Sequence, residues 1–114
     1  MKQPEDFLPL SQATYYILLS LRKVRHGYGI MQDVEEISQG EVRMGPGTLY
    51  GALGKLEKQH VIQKVTVQED ERRKYYALTD LGMQVLRLEY GRLSSLVANA
   101  KGIIEKLEVE KDGH

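Results

Sequence analysis

Seven residues, Leu86, Tyr90, Leu93, Val97, Ala100, Ile104 and Leu107, follow one another in alternating steps of four and three. This is the 3.5-residue repeat of a coiled-coil seam, held for three heptads. It predicts a helix over residues 80–110, capped by Thr79, with Asp80 favourably near its positive end. At 1.5 Å per residue such a helix spans ~45 Å, longer than a small domain. Folding back on the rest of a 114-residue chain would leave much of the seam wet. A second copy covers it better, so the seam predicts a homodimer, with a flexible tail at 111–114.

The second constraint is the stretch 45–62, GPGTLYGALGKLEKQHVI. Leu49, Leu53 and Leu56 form the apolar stripe of a helix. Pro46 suits its first position and Gly45 its N-cap. The opposite side carries Gly47, Gly51, Gly54 and Lys58, flanked by Thr48, Tyr50 and Lys55. Each glycine weakens a helix by roughly 1 kcal/mol relative to alanine, so three on one side suit a backbone that approaches another surface closely. Lysines make an anionic surface the best match.

The other elements surround this helix. Residues 1–9 read as a polar arm. Pro9 and Ser11 are start signals, and Leu10, Ala13, Ile17, Leu21 and Val24 recur at helical spacing, with Tyr15, Tyr16, Leu18 and Leu19 widening the apolar arc. Gly27 and Gly29 punctuate this helix. A short helix with Ile30, Val34 and Ile37 inward and its acids outward then ends at Gly40, a left-handed cap. Val42 and Met44 around Arg43 suggest a very short strand. Val65 and Val67, then Tyr76 and Leu78, alternate as two strands joined by a charged tip at 69–73. Three helices and a two-stranded ribbon are the order of a winged helix-turn-helix over residues 10–79, whose third helix enters the major groove while the wing touches backbone or minor groove. The fold class is therefore mainly α with a small β-hairpin wing and a long C-terminal dimerisation helix.

Composition narrows the chemistry. Sixteen basic residues balance sixteen acidic ones, a neutrality that also suits a winged helix serving purely as a protein-interaction module. The distribution is uneven, however: residues 43–74 hold seven cations against four anions, enough for a basic face on a neutral chain. There is no cysteine, which excludes disulfides and thiolate metal sites. His26, His60 and His114 lie in no catalytic or metal-binding spacing, and the glycines of 45–47 lack the Lys-Ser/Thr of a phosphate-binding loop. No enzyme, cofactor or metal is expected. The start shows no secretory signal and no stretch is long enough to span a membrane, so the expected location is the cytoplasm.

Gly27-Tyr28-Gly29-Ile30, the block Gly47-Thr48-Leu49-Tyr50 with Leu53, Leu56 and Glu57, and Arg73-Lys74-Tyr75-Tyr76 with Leu78, Thr79 and Gly82 together resemble the PadR family of bacterial transcriptional regulators, in its short single-domain branch. The resemblance covers residues 10 to about 85. It implies a winged-helix dimer, held largely by its last helix, that binds double-stranded DNA. Gly45 stands where the family often has serine, Gly51 where it often has proline or a similar residue, and His60 where it has a turn glycine. Some short members hold planar molecules between tryptophans at the dimer centre; this chain has no tryptophan.

On this reading Thr48 and Tyr50 bond phosphates at the groove, Lys55 and Lys58 neutralise them, and Gly47 and Gly51 permit approach. Arg43 joins the DNA contacts, Tyr28 either helps the second helix touch the backbone or packs in the core, and Arg72, Arg73 and Lys74 form the wing's basic flank unless the neighbouring acids pair with them. The seven seam residues form the dimer interface. Tyr15, Tyr16 and Tyr90 are the candidate lining for a small planar hydrophobic effector, with simple interface packing as the alternative.

Overall fold

A computed structural model describes residues 2–112. The order is α1 (Gln12–Ser20), β1 (Arg25–His26), α2 (Gly27–Ile37), α3 (Pro46–Lys58), β2 (Ile62–Val65), β3 (Tyr75–Leu78) and α4 (Asp80–Asp112). A 3-10 turn at Pro4–Phe7 precedes α1. Residues 111 and 112 of the expected tail continue α4; residues 113 and 114 lie outside the described residues.

One core unites the elements. Ile17, Leu18 and Leu21 meet Ile30 and Val34 of α2, Leu49, Leu53 and Leu56 of α3, Val61, Ile62 and Tyr76 of the sheet, and Val85 of α4. The apolar stripe of α3 is thus wholly buried, as its spacing requires. Helix α1 begins where Ser11 accepts the Thr14 N–H at 3.1 Å. It is shorter than its periodicity suggests. The chain leaves the helix after Leu21, and Val24 is exposed, because Arg25 and His26 are needed as a strand against Tyr76 and Tyr75.

That pairing corrects the sheet as well. The wing has three antiparallel strands in the order β1-β3-β2, not two. Residues 42–44 form no strand, and Val67 lies beyond β2, at the start of a 3-10 turn over Gln68–Asp70. The acids of α2 are not all outward either. Asp33 is buried and binds Arg22 at 2.7 Å and Arg25 at 3.5 Å, which draws two of the three cations of residues 22–26 onto α2.

The junction of wing and α4 explains the Leu-Thr-x-x-Gly pattern. Thr79 caps α4 by accepting the Gly82 N–H at 3.0 Å, and its hydroxyl donates to the His60 carbonyl at 2.6 Å. A Cβ on Gly82 would collide with the Val61 carbonyl, so only glycine lets the helix start this close to β2. Gly40 has φ +82° and His60 +62°, the two turn positions expected at the ends of α2 and α3. The N-terminal segment is docked rather than a free arm: Phe7, Leu8 and Leu10 pack against the core.

Helix α4 leaves the domain after its first three turns, and the molecule extends 64 Å along its long axis. Val85 is fully buried and Leu86 half-buried on the core, whereas Tyr90, Val97, Ile104 and Leu107 are exposed by 66, 70, 49 and 56%. Leu93 is half-buried and Ala100 exposed. Among the described residues, no helix is long and apolar enough to cross a membrane.

Candidate nucleic-acid interface

Helix α3 turns its buried stripe inward and leaves its other side open. A Cβ at Gly47, Gly51 or Gly54 would meet nothing within 4 Å. Thr48, Tyr50, Lys55 and Lys58 are exposed on the same helix. The glycines therefore answer no packing demand inside the protein.

Beside the N-terminal half of α3 lies an open cleft of about 510 Å³, lined by His26, Gly27, Tyr28, Tyr50, Arg72, Arg73 and Lys74. Five of the residues expected at the DNA thus converge from three elements far apart in sequence. Tyr28 is 60% exposed, which places it at the surface rather than in the core. The Tyr50 ring lies over Gly27, where any Cβ would collide with it. Gly27 thereby lets α2 and α3 close together while the Tyr50 side chain stays half-exposed at the rim.

The wing is braced internally. Asp70 accepts from the Tyr75 hydroxyl at 3.0 Å and pairs with Arg73 Nε at 3.4 Å. Half-burial, then the Asp70 bond, hold the Tyr75 phenol above its usual pKa. The Tyr75 ring meets His26 edge-on at 5.3 Å, and Tyr76 points the other way into the core. Of the acids at the tip, Asp70 alone pairs with a wing arginine; Arg72 and Lys74, like Lys55 and Lys58, make no ion pair among the described residues. Arg43 stands apart from the cleft, on the loop before α3, ion-paired to Glu35 at 3.2 Å.

His26 is the residue that sequence spacing missed. Its Nδ1 caps α2 by accepting the Gly29 N–H at 3.0 Å, while its Nε2 lies 2.9 Å from Nη1 of Arg73. A histidine directly before a Gly-x-Gly helix start was the available signal. Glu89 is the second such residue. It is 1% exposed, accepts the Leu10 N–H at 2.7 Å, and holds Arg92 through two contacts. The Arg92 guanidinium holds its carboxyl below the ordinary range, against the opposing effect of burial, and the Leu10 bond adds to the lowering.

The tyrosines named for an effector divide between two grooves, with Tyr15 in both. One groove of about 310 Å³ is lined by Tyr15, Tyr16, Glu89, Arg92 and Leu93 with Leu10 and Gln12. A second, about 400 Å³ and more open, is lined by Tyr15, Tyr90, Leu93 and Val97. Burial, then the Glu89 charge, raise the Tyr15 phenol pKa. Among the described residues no cluster of three or more His, Cys, Asp or Glu is placed to hold a metal ion.

A helix-turn-helix with a three-stranded wing, a glycine-faced third helix and a long projecting helix defines the winged-helix class of transcriptional regulators. The Transcriptional regulator PadR-like family matches residues 15–88, and the chain belongs to that family, whose members are regulators and not enzymes. The chain is 36% identical over 70 residues to an uncharacterised protein X of Lysinibacillus sphaericus, covering 60% of this chain and 64% of that one. It is 37% identical over 62 residues to the transcriptional regulator YqjI of Escherichia coli, covering 54% and 28%. A 37.1 kDa transposon protein of Streptomyces fradiae is 35% identical over 71 residues, covering 62% of this chain and 19% of its own length. The chain thus spans less than two thirds of each of these relatives. Among solved structures, RosR of H. salinarum superposes with a TM-score of 0.64 at 26% identity, covering 95% of this chain and 98% of RosR. A PadR family regulator of Clostridium difficile shares the fold, with a TM-score of 0.68 at 23% identity over 82% and 99% of the two chains.

Proposed function

We propose that this PadR-like regulator acts as a homodimeric repressor that lays its paired α3 helices in successive major grooves of a pseudo-palindromic operator. The observation that carries this reading is the open side of α3. Three glycines have open space where a Cβ would stand, and Thr48 and Tyr50 are exposed on this helix, Tyr50 at the cationic wing cleft. Lys55 and Lys58, exposed and without an ion pair among the described residues, lie toward the N-terminal segment. Phosphate contacts from Tyr28, Thr48, Tyr50, Lys55, Lys58, Arg72, Arg73 and Lys74 fix position, Gly47 and Gly51 let the backbone approach, and Arg43 joins the contacts when it exchanges Glu35 for a phosphate. Because glycines cannot read base edges, discrimination draws on DNA shape. Bound dimers repress by excluding polymerase from the occupied duplex.

Dimerisation rests on the exposed part of the α4 seam, Tyr90, Val97, Ala100, Ile104 and Leu107; Leu86 at its start packs on the domain's own core. A flat apolar effector in the Tyr15–Tyr90 grooves would sit between the domain and α4, where it changes the separation of the two α3 helices and so relieves repression. Selection of bound fragments from a random duplex library, followed by footprinting, tests the reading. Two symmetric protections roughly one helical turn apart are expected; one asymmetric patch contradicts it.

A further inference from the structure

The imidazole of His26 faces two hydrogen-bond donors. Gly29 N–H points at Nδ1 from 3.0 Å, and an Arg73 N–H group lies 2.9 Å from Nε2. A neutral imidazole has one acceptor nitrogen and one N–H, and arginine has no acceptor at all. Both contacts cannot be satisfied at once. The cap bond is the local one: it is part-buried and made within a single helical turn. Arg73 reaches the ring from an exposed wing residue 47 positions away. Keeping the cap fixes the proton on Nε2, so the Nε2–H and the Arg73 N–H confront each other across the floor of the cleft.

Two donors side by side with no acceptor between them are completed by an anionic oxygen that receives both. Asp70 does not fill that place, because its carboxylate meets Arg73 on the Nε edge and takes the Tyr75 hydroxyl. What remains around the pair is Tyr28, Tyr50, Arg72 and Lys74, hydroxyls and cations with no carboxylate among the lining residues. We propose that His26 and Arg73 jointly grip one phosphate of the DNA backbone, His26 donating from Nε2–H and Arg73 from Nη1. This deepens the proposed function and rests on it. It gives His26 a positioning role at the duplex: the same ring that starts α2 ties that start, the wing and the phosphate together, so the register of the wing on DNA is coupled to helix α2.

The test uses the full chain and random-sequence 30-bp duplexes, since a backbone contact needs no particular sequence. In the free wild type, side-chain nitrogen NMR should show His26 with a bare Nδ1 and a protonated Nε2, and adding duplex should move the Nε2–H resonance downfield. His26→Asn keeps an N-cap but removes the Nε2–H; duplex binding should weaken about tenfold per protomer, the loss of one hydrogen bond to a charged group, with melting temperature retained. In the operator duplex selected by the footprinting experiment, where the register is fixed, a neutral methylphosphonate placed at successive linkages should identify one position per half-site where neither His26→Asn nor Arg73→Ala weakens binding further. A bare Nε2 in the free protein overturns the inference, and so does His26→Asn binding like wild type, or the two variants losing their effects at different linkages. Failure of wild type to bind any duplex overturns the DNA-binding reading itself and this inference with it.

Discussion

Replacing Val97 and Ile104 with glutamate should turn the protein into a monomer. In each protomer Tyr90, Val97, Ile104 and Leu107 present between half and 70% of their surface to solvent. Fully burying such a side chain is worth about 1.5–3 kcal/mol, so covering these exposures recovers ~1–2 kcal/mol each. Eight side chains across a two-fold interface then contribute about 8–16 kcal/mol, against an association cost of ~4–15 kcal/mol. The margin is small. Removing half of those side chains subtracts ~4–8 kcal/mol, more than a thousandfold in dissociation constant at its midpoint, before the cost of burying four carboxylates. Light scattering at micromolar concentration should give a dimer for wild type and a monomer for the double variant. The same variant should lose helical signal, since residues 94–109 are exposed in the protomer and a helical segment with little tertiary packing is marginal in water. Ser95→Glu, on the face away from the seam, should stay dimeric. A monomeric wild type, or a double variant that remains a dimer, would refute the assignment of the seam.

Three further outcomes follow from single positions. Gly51→Leu should raise melting temperature, because leucine is the better helix former by ~1 kcal/mol and its side chain meets open space, yet it should weaken duplex binding at least tenfold; tight binding would take this face out of the groove. His60→Gly should stabilise the fold by about 0.5–1 kcal/mol, as glycine relieves the left-handed cost at φ +62° while loosening the unfolded chain, which a denaturant midpoint will show. Glu89 is the third. Its carboxyl is held below its unfolded value, so its stabilising effect is full above the ordinary carboxylate range and is lost as pH falls through the folded value. Glu89→Gln should therefore cost about 2 kcal/mol near pH 7, where a charge-assisted pair is broken, and the gap to wild type should close in acid; a gap that is constant with pH would show that the charge is not what matters.

Much of this architecture was legible because it is written in periodicity. Leu49, Leu53 and Leu56 identify α3, Val65 and Tyr76 the wing, and the seam the projecting helix. Misreadings arise where tertiary pairing overrides local pattern. Val24 continues the spacing of α1, but β3 needs Arg25 and His26 as a strand partner, which ends the helix early. Asp33 has the sequence profile of a surface acid and becomes buried because Arg22 and Arg25 fold back onto it. The seam itself hid Glu89, which shares the inner face with Val85 and Arg92 and meets a backbone N–H supplied 79 residues earlier. Cleft residues were legible as cations and hydroxyls, but their convergence with His26 depends on the wing folding against α2, which no local pattern encodes.

The salt dependence of duplex binding tests the central claim most directly. Each phosphate neutralised by lysine or arginine contributes a slope of about −0.9 in log affinity against log salt. Lys55, Lys58, Arg72, Arg73 and Lys74 are exposed in each protomer, so wild type should lose affinity steeply as salt rises. Arg72→Ala and Arg73→Ala should each flatten the slope by about 1 for every phosphate left without its cation and weaken all sequences alike. Affinity that stays level with salt, or a slope unchanged by both wing variants, would contradict the account and favour a protein-binding role for the wing.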